Sequence, residues 1–210
     1  MKLHLVRHGE TVWHDENKYT GHTDIPLTNK GYEQANSLVS WARLLELGAI
    51  YTSDLIRSIE TAKPMASALG LEVKEDSRLR EVNFGEIEGL SPQEMNLNFP
   101  EIRKSFLSFP ADTILPQGES GRIALQRALP ALREILNSNG QQDVVFVGHG
   151  TLIRLIVCHF LGIELNLYRK VFPRISNACK FSLLIYDVEN MESSDVLNSR
   201  AGLLSFDNRG

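Results

Sequence analysis

A short apolar stretch near the start of the chain, residues 3–6, runs directly into Arg7, His8 and a glycine. The guanidinium group of an arginine offers a planar fork of donors to phosphate oxygens, and a neutral imidazole beside it can act as a nucleophile. An Arg-His-Gly tripeptide is weak evidence by itself, because a surface turn after a strand can have the same sequence. It becomes informative together with three later segments.

A second histidine has the same local context as the first. His149 follows the apolar residues 143–147, as His8 follows residues 3–7, and each histidine is followed by glycine. In an open parallel sheet, ligands bind at the carboxyl ends of the strands. If the two strands are neighbours, both imidazoles meet in one crevice. For either histidine alone, a glycine turn with an incidental histidine is an equally good explanation, but the pair together favours a site.

Two further segments supply a cation and a carboxylate. Arg57 falls in the first turn of a predicted helix that follows a strand, so its side chain can point back over the same sheet edge. The helix N-terminus there also favours an anion. Glu81 immediately precedes a glycine-containing loop at residues 82–89. A solvated surface position is the usual one for both residue types, so neither is evidence in isolation.

The elements that must position these residues alternate between strands and helices. Strands are predicted at residues 3–7, 49–52, 71–73, 143–147, 180–186 and 195–206, and helices at residues 29–47, 54–69, 91–98, 100–108, 121–138 and 150–161. This alternation favours a three-layer α/β/α fold with a mostly parallel central sheet. We expect Gly48 to end the first helix, Ser53 or Asp54 to cap the second, and Pro64 to bend or break it.

Length, charge and cysteine usage restrict the class of protein. The 210 residues suit one domain, 1–210, with an irregular lid-like excursion at about 82–118. A net charge of -4 argues against a general binder of nucleic acid or anionic membranes. The absence of a secretory leader or a long apolar stretch predicts a cytoplasmic protein. Cys158 lies in an apolar run and is expected to be a buried thiol.

Five segments, in order along the chain, resemble motifs of the histidine phosphatase superfamily in its phosphoglycerate mutase-like branch. They are residues 7–11, 21–28, 53–61, 81–89 and 149–150. The resemblance extends over roughly residues 3–187. It implies the three-layer fold described above and an enzyme that transfers phosphoryl groups through a phosphohistidine.

The resemblance also implies roles for individual residues. His8 would be the nucleophile, Arg7, Arg57 and His149 would hold the phosphoryl oxygens, and Glu81 would donate a proton to the leaving alkoxide. Three cationic donors can neutralise a phosphate dianion, so no metal and no cofactor is implied. The residues expected to bind substrate are Arg7, His14, Thr20, Gly21, Arg57, Gly150 and Thr151.

Departures from the family pattern favour a phosphatase over a mutase. His14 stands where asparagine is usual, Thr151 stands where the mutases have asparagine, and residues 95–118 are fewer than in a mutase that needs a bisphosphorylated cofactor. We therefore expect a metal-independent phosphomonoesterase acting on a small phosphorylated metabolite, such as phosphoserine, α-ribazole phosphate or a glycerate or sugar derivative. Two alternatives stay open, a 2,3-bisphosphoglycerate-dependent phosphoglycerate mutase and a non-catalytic phosphate-binding regulatory module. No nucleic-acid or membrane partner is expected, and a homodimer is left open.

Overall fold

A six-stranded sheet crosses the centre of the molecule in the computed structural model, which describes residues 1–186 and 201–208. The strands are β1 (Lys2–Arg7), β2 (Leu47–Thr52), β3 (Val73–Glu75), β4 (Asp143–Gly148), β5 (Lys180–Ile185) and β6 (Ala201–Asp207). Their order across the sheet is β3-β2-β4-β1-β5-β6. The first four in this order pair in parallel, and β5 is antiparallel to both of its neighbours. The prediction of a mostly parallel sheet is confirmed.

Helices cover both faces of this sheet. The α-helices are α1 (Val12–Asp15), α2 (Asn29–Ala42), α3 (Ile56–Leu69), α4 (Pro92–Asn98), α5 (Pro100–Ser108), α6 (Gly121–Ser138), α7 (Gly150–Phe160) and α8 (Tyr168–Val171). Side chains alternate between the faces along each strand. In β1, Leu3 and Leu5 therefore pack in one apolar cluster with α6 and α7, while Val6 packs in another with α2 and α3. Two cores on opposite faces give the three layers that the sequence predicts.

The irregular excursion packs against the larger of the two cores. Its buried side chains in that cluster include Phe84, Ile87, Met95, Phe106 and Leu115. Gly85 is required where the excursion closes on itself, because its φ is 55° and a Cβ there would lie 2.0 Å from the Pro116 carbonyl oxygen. The segment is thus anchored on the core at both ends and in the middle.

Several predicted boundaries are wrong, for one physical reason. Helix α2 ends at Ala42 rather than at residue 47, and Gly48 lies inside β2 instead of ending a helix. Strand β3 also begins two residues later than predicted. Pairing of Leu47 with Asp143 in β4 extends β2 towards its N-terminus. Strand pairing is a tertiary effect that local helix periodicity does not report.

The start of α3 differs from prediction in a way that affects the site. The residue before its first turn is Leu55, and the backbone N–H of Ile56 donates to the distant carboxylate of Asp24 at 2.8 Å. Neither Ser53 nor Asp54 caps the first turn. Helix α3 also continues through Pro64 to Leu69, because buried packing against the core offsets the hydrogen bond that proline removes.

The structure also bears on three predictions outside the site. Cys158 is buried and unpaired, and burial raises the pKa of its thiol to about 12, so it is a packing residue as predicted. In the described ranges, no helix combines the length and apolar character needed to cross a bilayer. The strand predicted at 195–206 corresponds in part to β6, and residues 195–200 lie outside the described residues.

Candidate active site

Strands β1 and β4 are direct neighbours, which brings the two histidines together. In their parallel register Arg7 stands opposite Gly148, and the backbone N–H of His8 donates to the Gly148 carbonyl at 2.9 Å. The rings of His8 and His149 are 5.4 Å apart, centroid to centroid. The two strands are therefore neighbours, which is the condition for both imidazoles to lie in one crevice.

His8 is held with one ring nitrogen available. It is 5 % exposed, and its Nδ1 lies 2.7 Å from the carbonyl oxygen of Gly9. A carbonyl only accepts hydrogen bonds, so Nδ1 carries the proton and Nε2 has the lone pair. Burial lowers the pKa of His8 well below its ordinary value, and the positive charge of Arg57 lowers it further. The ring is neutral at physiological pH.

The glycine after His8 is required by close packing. A Cβ on Gly9 would lie 2.5 Å from the carbonyl oxygen of Gly31, at the start of α2. The backbone N–H of Gly9 donates to the Thr61 hydroxyl on α3 at 2.9 Å. These contacts with two helices fix the backbone of the residue whose carbonyl orients the His8 ring.

Arg7 is oriented by His14. Its Nη1 donates to the Ile175 carbonyl at 2.6 Å, and its Nη2 lies 2.6 Å from His14 Nε2. On the other side of the ring, His14 Nδ1 accepts from the backbone N–H of Thr11 at 3.0 Å and lies 2.8 Å from the Thr11 hydroxyl. Burial lowers the pKa of His14 to about 4, and the adjacent Arg7 charge contributes to the shift. Neutral His14 is thus a direct partner of Arg7.

Arg57 is completely buried and is bound by backbone carbonyls of one loop. Its Nη1 donates to the Thr23 carbonyl at 2.9 Å and its Nη2 to the Gly21 carbonyl at 2.5 Å. Burial lowers the pKa of Arg57 to about 10, which leaves it a cation at neutral pH. The guanidinium is therefore aligned by neutral carbonyl acceptors, and no carboxylate of the described residues forms an ion pair with it.

That loop is itself fixed by Glu88. One carboxylate oxygen, Oε1, accepts from the backbone N–H groups of His22 at 2.8 Å and Phe84 at 3.2 Å. The other, Oε2, accepts from the backbone N–H of Thr23 at 2.7 Å and also from its hydroxyl. A Cβ on Gly21 would lie 2.3 Å from Glu88 Oε1, so only glycine fits there without displacing the carboxylate. Glu88 thereby holds the carbonyls that align Arg57.

His149 is the N-terminal flanking residue of α7 and is fully buried. Its Nε2 lies 2.8 Å from the Ser53 hydroxyl and 3.3 Å from the Ser58 hydroxyl. Burial lowers the pKa of His149 well below its ordinary value, and the charge of Arg57 adds to the effect. This ring is also neutral at physiological pH.

Glu81 binds the N-terminus of α7 beside His149. Its Oε1 accepts from the backbone N–H groups of Val82 and Leu152, both at 2.9 Å, and its Oε2 accepts from that of Thr151 at 2.8 Å. Because Oε2 accepts a single N–H, it retains a lone pair that can carry a proton. The helix N-terminus thus orients the carboxyl group.

Three buried nitrogen atoms of this cluster have no hydrogen-bond partner among the described residues. They are Arg7 Nε, Arg57 Nε and His149 Nδ1. Buried polar atoms without partners are rare in folded proteins, and catalytic or ligand-binding sites are one established reason for them. In such a site, an anion between these side chains would supply the missing acceptors.

The structure places the remaining predicted binding residues around this cluster. Gly150 packs against Arg7, since a Cβ on it would lie 3.2 Å from Arg7 Nε. The Thr151 backbone binds Glu81, and the Gly21 carbonyl binds Arg57, as described above. The Thr20 hydroxyl donates to the Lys18 carbonyl at 3.3 Å. Thr20 therefore lies in the same loop as Gly21 but contacts its own segment.

Sequence reasoning missed the residues that orient the cluster. Ser53 was interpreted as a helix cap, and Glu88 and Asp24 received no role. Asn177, which donates to the His8 carbonyl at 3.1 Å, was likewise assigned no role. Ser53, Glu88 and Asp24 fall inside the matching segments, which is a signal in the sequence, whereas Asn177 lies outside all five. The contacts of these four residues span 32 to 169 residues.

The described part of the chain contains no group of three or more histidine, cysteine, aspartate or glutamate side chains that could hold a metal ion. The donors that converge here are instead arginine and histidine nitrogens. A donor set of this kind is suited to an oxyanion.

With this fold and this pair of histidines, the chain belongs to the histidine phosphatase superfamily (branch 1), whose family profile matches residues 3–196. A curated relative, a probable phosphoglycerate mutase (GpmB) of Escherichia fergusonii, is 32 % identical over 205 residues, which are 98 % of this chain and 94 % of the relative.

Solved structures show the same fold. A mycobacterial glucosyl-3-phosphoglycerate phosphatase, solved in complex with VO3, superposes with a TM-score of 0.85 at 25 % identity, over 100 % of this chain and 99 % of its own. A phosphoserine phosphatase from Entamoeba histolytica, in complex with 3-phosphoglyceric acid, superposes with a TM-score of 0.80 at 28 % identity, over 99 % and 97 %. The chain is thus similar to phosphatases and to a mutase of one superfamily.

Proposed function

We propose that this protein is a phosphomonoester hydrolase that acts on a small phosphorylated metabolite through a phosphohistidine at His8. The observation that carries the proposal is the set of ring and guanidinium nitrogens in the cluster that have no hydrogen-bond partner among the described residues. His8 has a lone pair on Nε2, and the nearby Arg7, Arg57 and His149 each have a buried nitrogen without a partner. A phosphoryl group bound there would accept from these nitrogens while facing the nucleophile.

In the first step, His8 Nε2 attacks phosphorus and the bond from phosphorus to the ester oxygen breaks. Protonated Glu81 gives its proton from Oε2 to the departing alkoxide, so the alcohol leaves neutral. Arg7 and Arg57 stabilise the charge on the three equatorial oxygens, which is the main contribution that a protein makes to phosphoryl transfer.

In the second step, water attacks the phosphohistidine. Glu81, now ionised, takes a proton from the water as its oxygen bonds to phosphorus, and the bond between phosphorus and Nε2 breaks. Inorganic phosphate leaves, and both His8 and Glu81 return to their starting states. A single carboxyl group thus acts as acid and then as base.

Half-buried Arg7 and buried Arg57, together with His149, supply the positive charge and donors that a phosphate dianion needs. We therefore propose catalysis without a metal ion or cofactor. Activity that is unchanged by EDTA supports this, and activity lost with EDTA and restored by a divalent cation would contradict it.

A phosphoglycerate mutase is the second candidate, because the curated relative carries that description as probable. Both reactions use a phosphohistidine. They differ in whether the phosphoryl group passes to water or to a second phosphoglycerate hydroxyl. The substrate is proposed only as a class, small phosphorylated metabolites, on the basis of the phosphatases that share the fold.

The test is a phosphate-release screen over a panel of phosphorylated metabolites, run beside an assay that interconverts 2- and 3-phosphoglycerate. We expect phosphate release to exceed interconversion, and His8→Ala to abolish it. His159→Gln, at the far end of α7, is the matched control and should retain activity. Interconversion faster than release would establish the mutase, and full activity of His8→Ala would exclude the mechanism.

A further inference from the structure

Three half-buried arginines near the site have no ion-pair partner among the described residues. They are Arg103 on α5, Arg154 on α7 and Arg169 on α8. The protein as a whole carries more acidic than basic residues, 26 against 22. These arginines therefore form a locally basic group in a protein whose net charge is negative.

Arg154 is the member of this group beside the phosphate cluster. Its Nε donates to the Gly150 carbonyl at 2.9 Å, and its Nη1 donates to the Phe172 carbonyl at 3.1 Å. Arg7 packs against the same Gly150 and donates to Ile175, three residues after Phe172. Arg7 and Arg154 therefore both contact Gly150, and both donate to backbone carbonyls within residues 172–175.

Tyr168 connects Arg154 to Arg169. The guanidinium carbon of Arg154 lies 5.1 Å from the centre of the Tyr168 ring. Burial raises the pKa of Tyr168, and the charges of Arg154 and Arg169 oppose that shift because both lie close to it. Arg169 in turn lies 5.1 Å over the ring of Phe106, on α5 in the excursion. Aromatic faces hold both cations without neutralising them.

Arg103 completes the arrangement from the other side of Phe106. Its Nη1 donates to the Tyr19 hydroxyl at 2.8 Å, and the Tyr19 and Phe106 rings meet edge to face at 6.2 Å. The contacts thus run continuously from Arg7 through Arg154 and Arg169 to Arg103. We call Arg103, Arg154 and Arg169 the arginine wall.

We propose that the arginine wall binds a second anionic group of the substrate, so that the enzyme selects phosphorylated metabolites carrying a carboxylate or a second phosphate. This inference rests on the proposed function. The phosphate monoester offsets the charge of Arg7 and Arg57. No described carboxylate forms an ion pair with the wall, and guanidinium groups bind carboxylate and phosphate well.

The test compares three compounds with one carbon skeleton. Glycerol 3-phosphate has one anionic group, 3-phosphoglycerate adds a carboxylate, and glycerol 1,3-bisphosphate adds a phosphate. We expect kcat/KM for at least one of the doubly anionic compounds to exceed that for glycerol 3-phosphate by about tenfold or more, as hydrogen bonds to charged groups allow. The better of the two identifies the second anion.

Variants of the wall arginines test whether the wall causes the preference for doubly anionic compounds. Arg169→Gln and Arg154→Gln should each lower the ratio of the two kcat/KM values several-fold. Arg43→Gln, an exposed arginine at the end of α2, is the matched control and should leave the ratio unchanged. A wild-type ratio near one, or a ratio that stays the same in both wall variants, would overturn the inference.

Binding separates failure of the inference from failure of the proposed function. Calorimetry with the His8→Gln protein measures the Kd of each compound without turnover. If the wild type hydrolyses none of the three compounds but this protein still binds a doubly anionic one about tenfold more tightly, the wall is supported and hydrolysis of these compounds is not. Equal Kd values for all three would contradict the wall, whatever the enzyme hydrolyses.

Discussion

Ser53 and Ser58 both contact His149 through Nε2, while Nδ1 of that ring has no partner among the described residues. If a serine hydroxyl donates to Nε2, the ring proton must lie on Nδ1, where it can donate to a phosphoryl oxygen. Ser53 is the closer of the two and thus a positioning residue that acts through His149.

Ser53→Ala is expected to lower kcat by about tenfold and to change the tautomer of His149. The alanine removes the nearer hydroxyl and leaves Ser58, at 3.3 Å, as the remaining partner. The ¹⁵N chemical shifts of the His149 ring report the tautomer directly. Ser37→Ala, on the exposed face of α2, is the control. An unchanged ring spectrum with reduced kcat would show that Ser53 acts on something other than the tautomer.

The candidate site residues that the sequence motifs predicted lie together in the structure. The residues that orient them could not be predicted from the sequence. His8, Arg7, Arg57, Glu81 and His149 are recognisable because each has a chemical type that phosphoryl transfer needs. Ser53 has the sequence signal of a helix cap, and the same hydroxyl serves equally well as a partner for an imidazole. The choice depends on which residue lies 96 positions away, and local pattern does not contain that information.

At the scale of elements, the loop at residues 20–24 contacts both the Arg57 guanidinium and the N-terminus of α3. It accepts from Arg57 through two carbonyls, and Asp24 in the same loop binds the first turn of α3. Glu88 fixes the loop from the opposite side. Arg57 is thus oriented by an element that has no regular secondary structure of its own.

Glu88→Gln is expected to raise KM by about tenfold, with a smaller effect on kcat. One oxygen of the carboxylate becomes an NH2 group that faces N–H or O–H donors, so the loop loses acceptors and Arg57 loses alignment. Steady-state kinetics and the Kd for inorganic phosphate measure the effect. Glu86→Gln, exposed in the same segment, is the matched control. Equal KM values for both variants would contradict the positioning role.

The elements themselves were predictable to different degrees. Helices α4 to α6 begin with a capping serine or a proline, and α7 follows a continuous apolar strand. Their predicted bounds agree with the structure within about two residues. The boundary between α2 and β2 was wrong because pairing with β4 extends the strand. The helical capping of α3 was wrong because the acceptor comes from Asp24, in another loop.

For the whole molecule, five buried or half-buried histidines with lowered pKa values make stability depend on pH. They are His4, His8, His14, His22 and His149. In the unfolded chain these rings bind protons as the pH falls through about 6.5, whereas in the folded protein they do so only at lower pH. The contribution of these histidines to the free energy of unfolding is therefore complete above pH 6.5 and is lost progressively as the pH falls below that value.

We expect the free energy of unfolding to fall between pH 6.5 and pH 4.5, by up to about 1.4 kcal/mol per pH unit for each histidine that stays neutral when folded. Denaturant unfolding at a series of pH values measures this slope. His14→Asn should make the slope shallower by about one proton, because the pKa of His14 is about 4 in the folded state. A flat profile, or an unchanged slope in the variant, would contradict the burial of neutral rings.

The architecture of the whole molecule was the most predictable feature. Alternating strands and helices, with a continuous apolar strand at residues 143–147, require a covered parallel sheet. The position of β4 between β1 and β2 followed only from the structure, and this strand order makes His8 and His149 neighbours.

The central claim, a phosphoryl group carried covalently by His8, is tested most directly by trapping it. The protein is mixed with a substrate found in the release screen, quenched at alkaline pH within the first turnover, and digested for mass spectrometry. We predict a phosphorylated peptide that contains His8, is lost on acid treatment and does not form in His8→Ala. Rapid phosphate release from the wild type with phosphorylation at another residue, or with none on His8, would contradict the account.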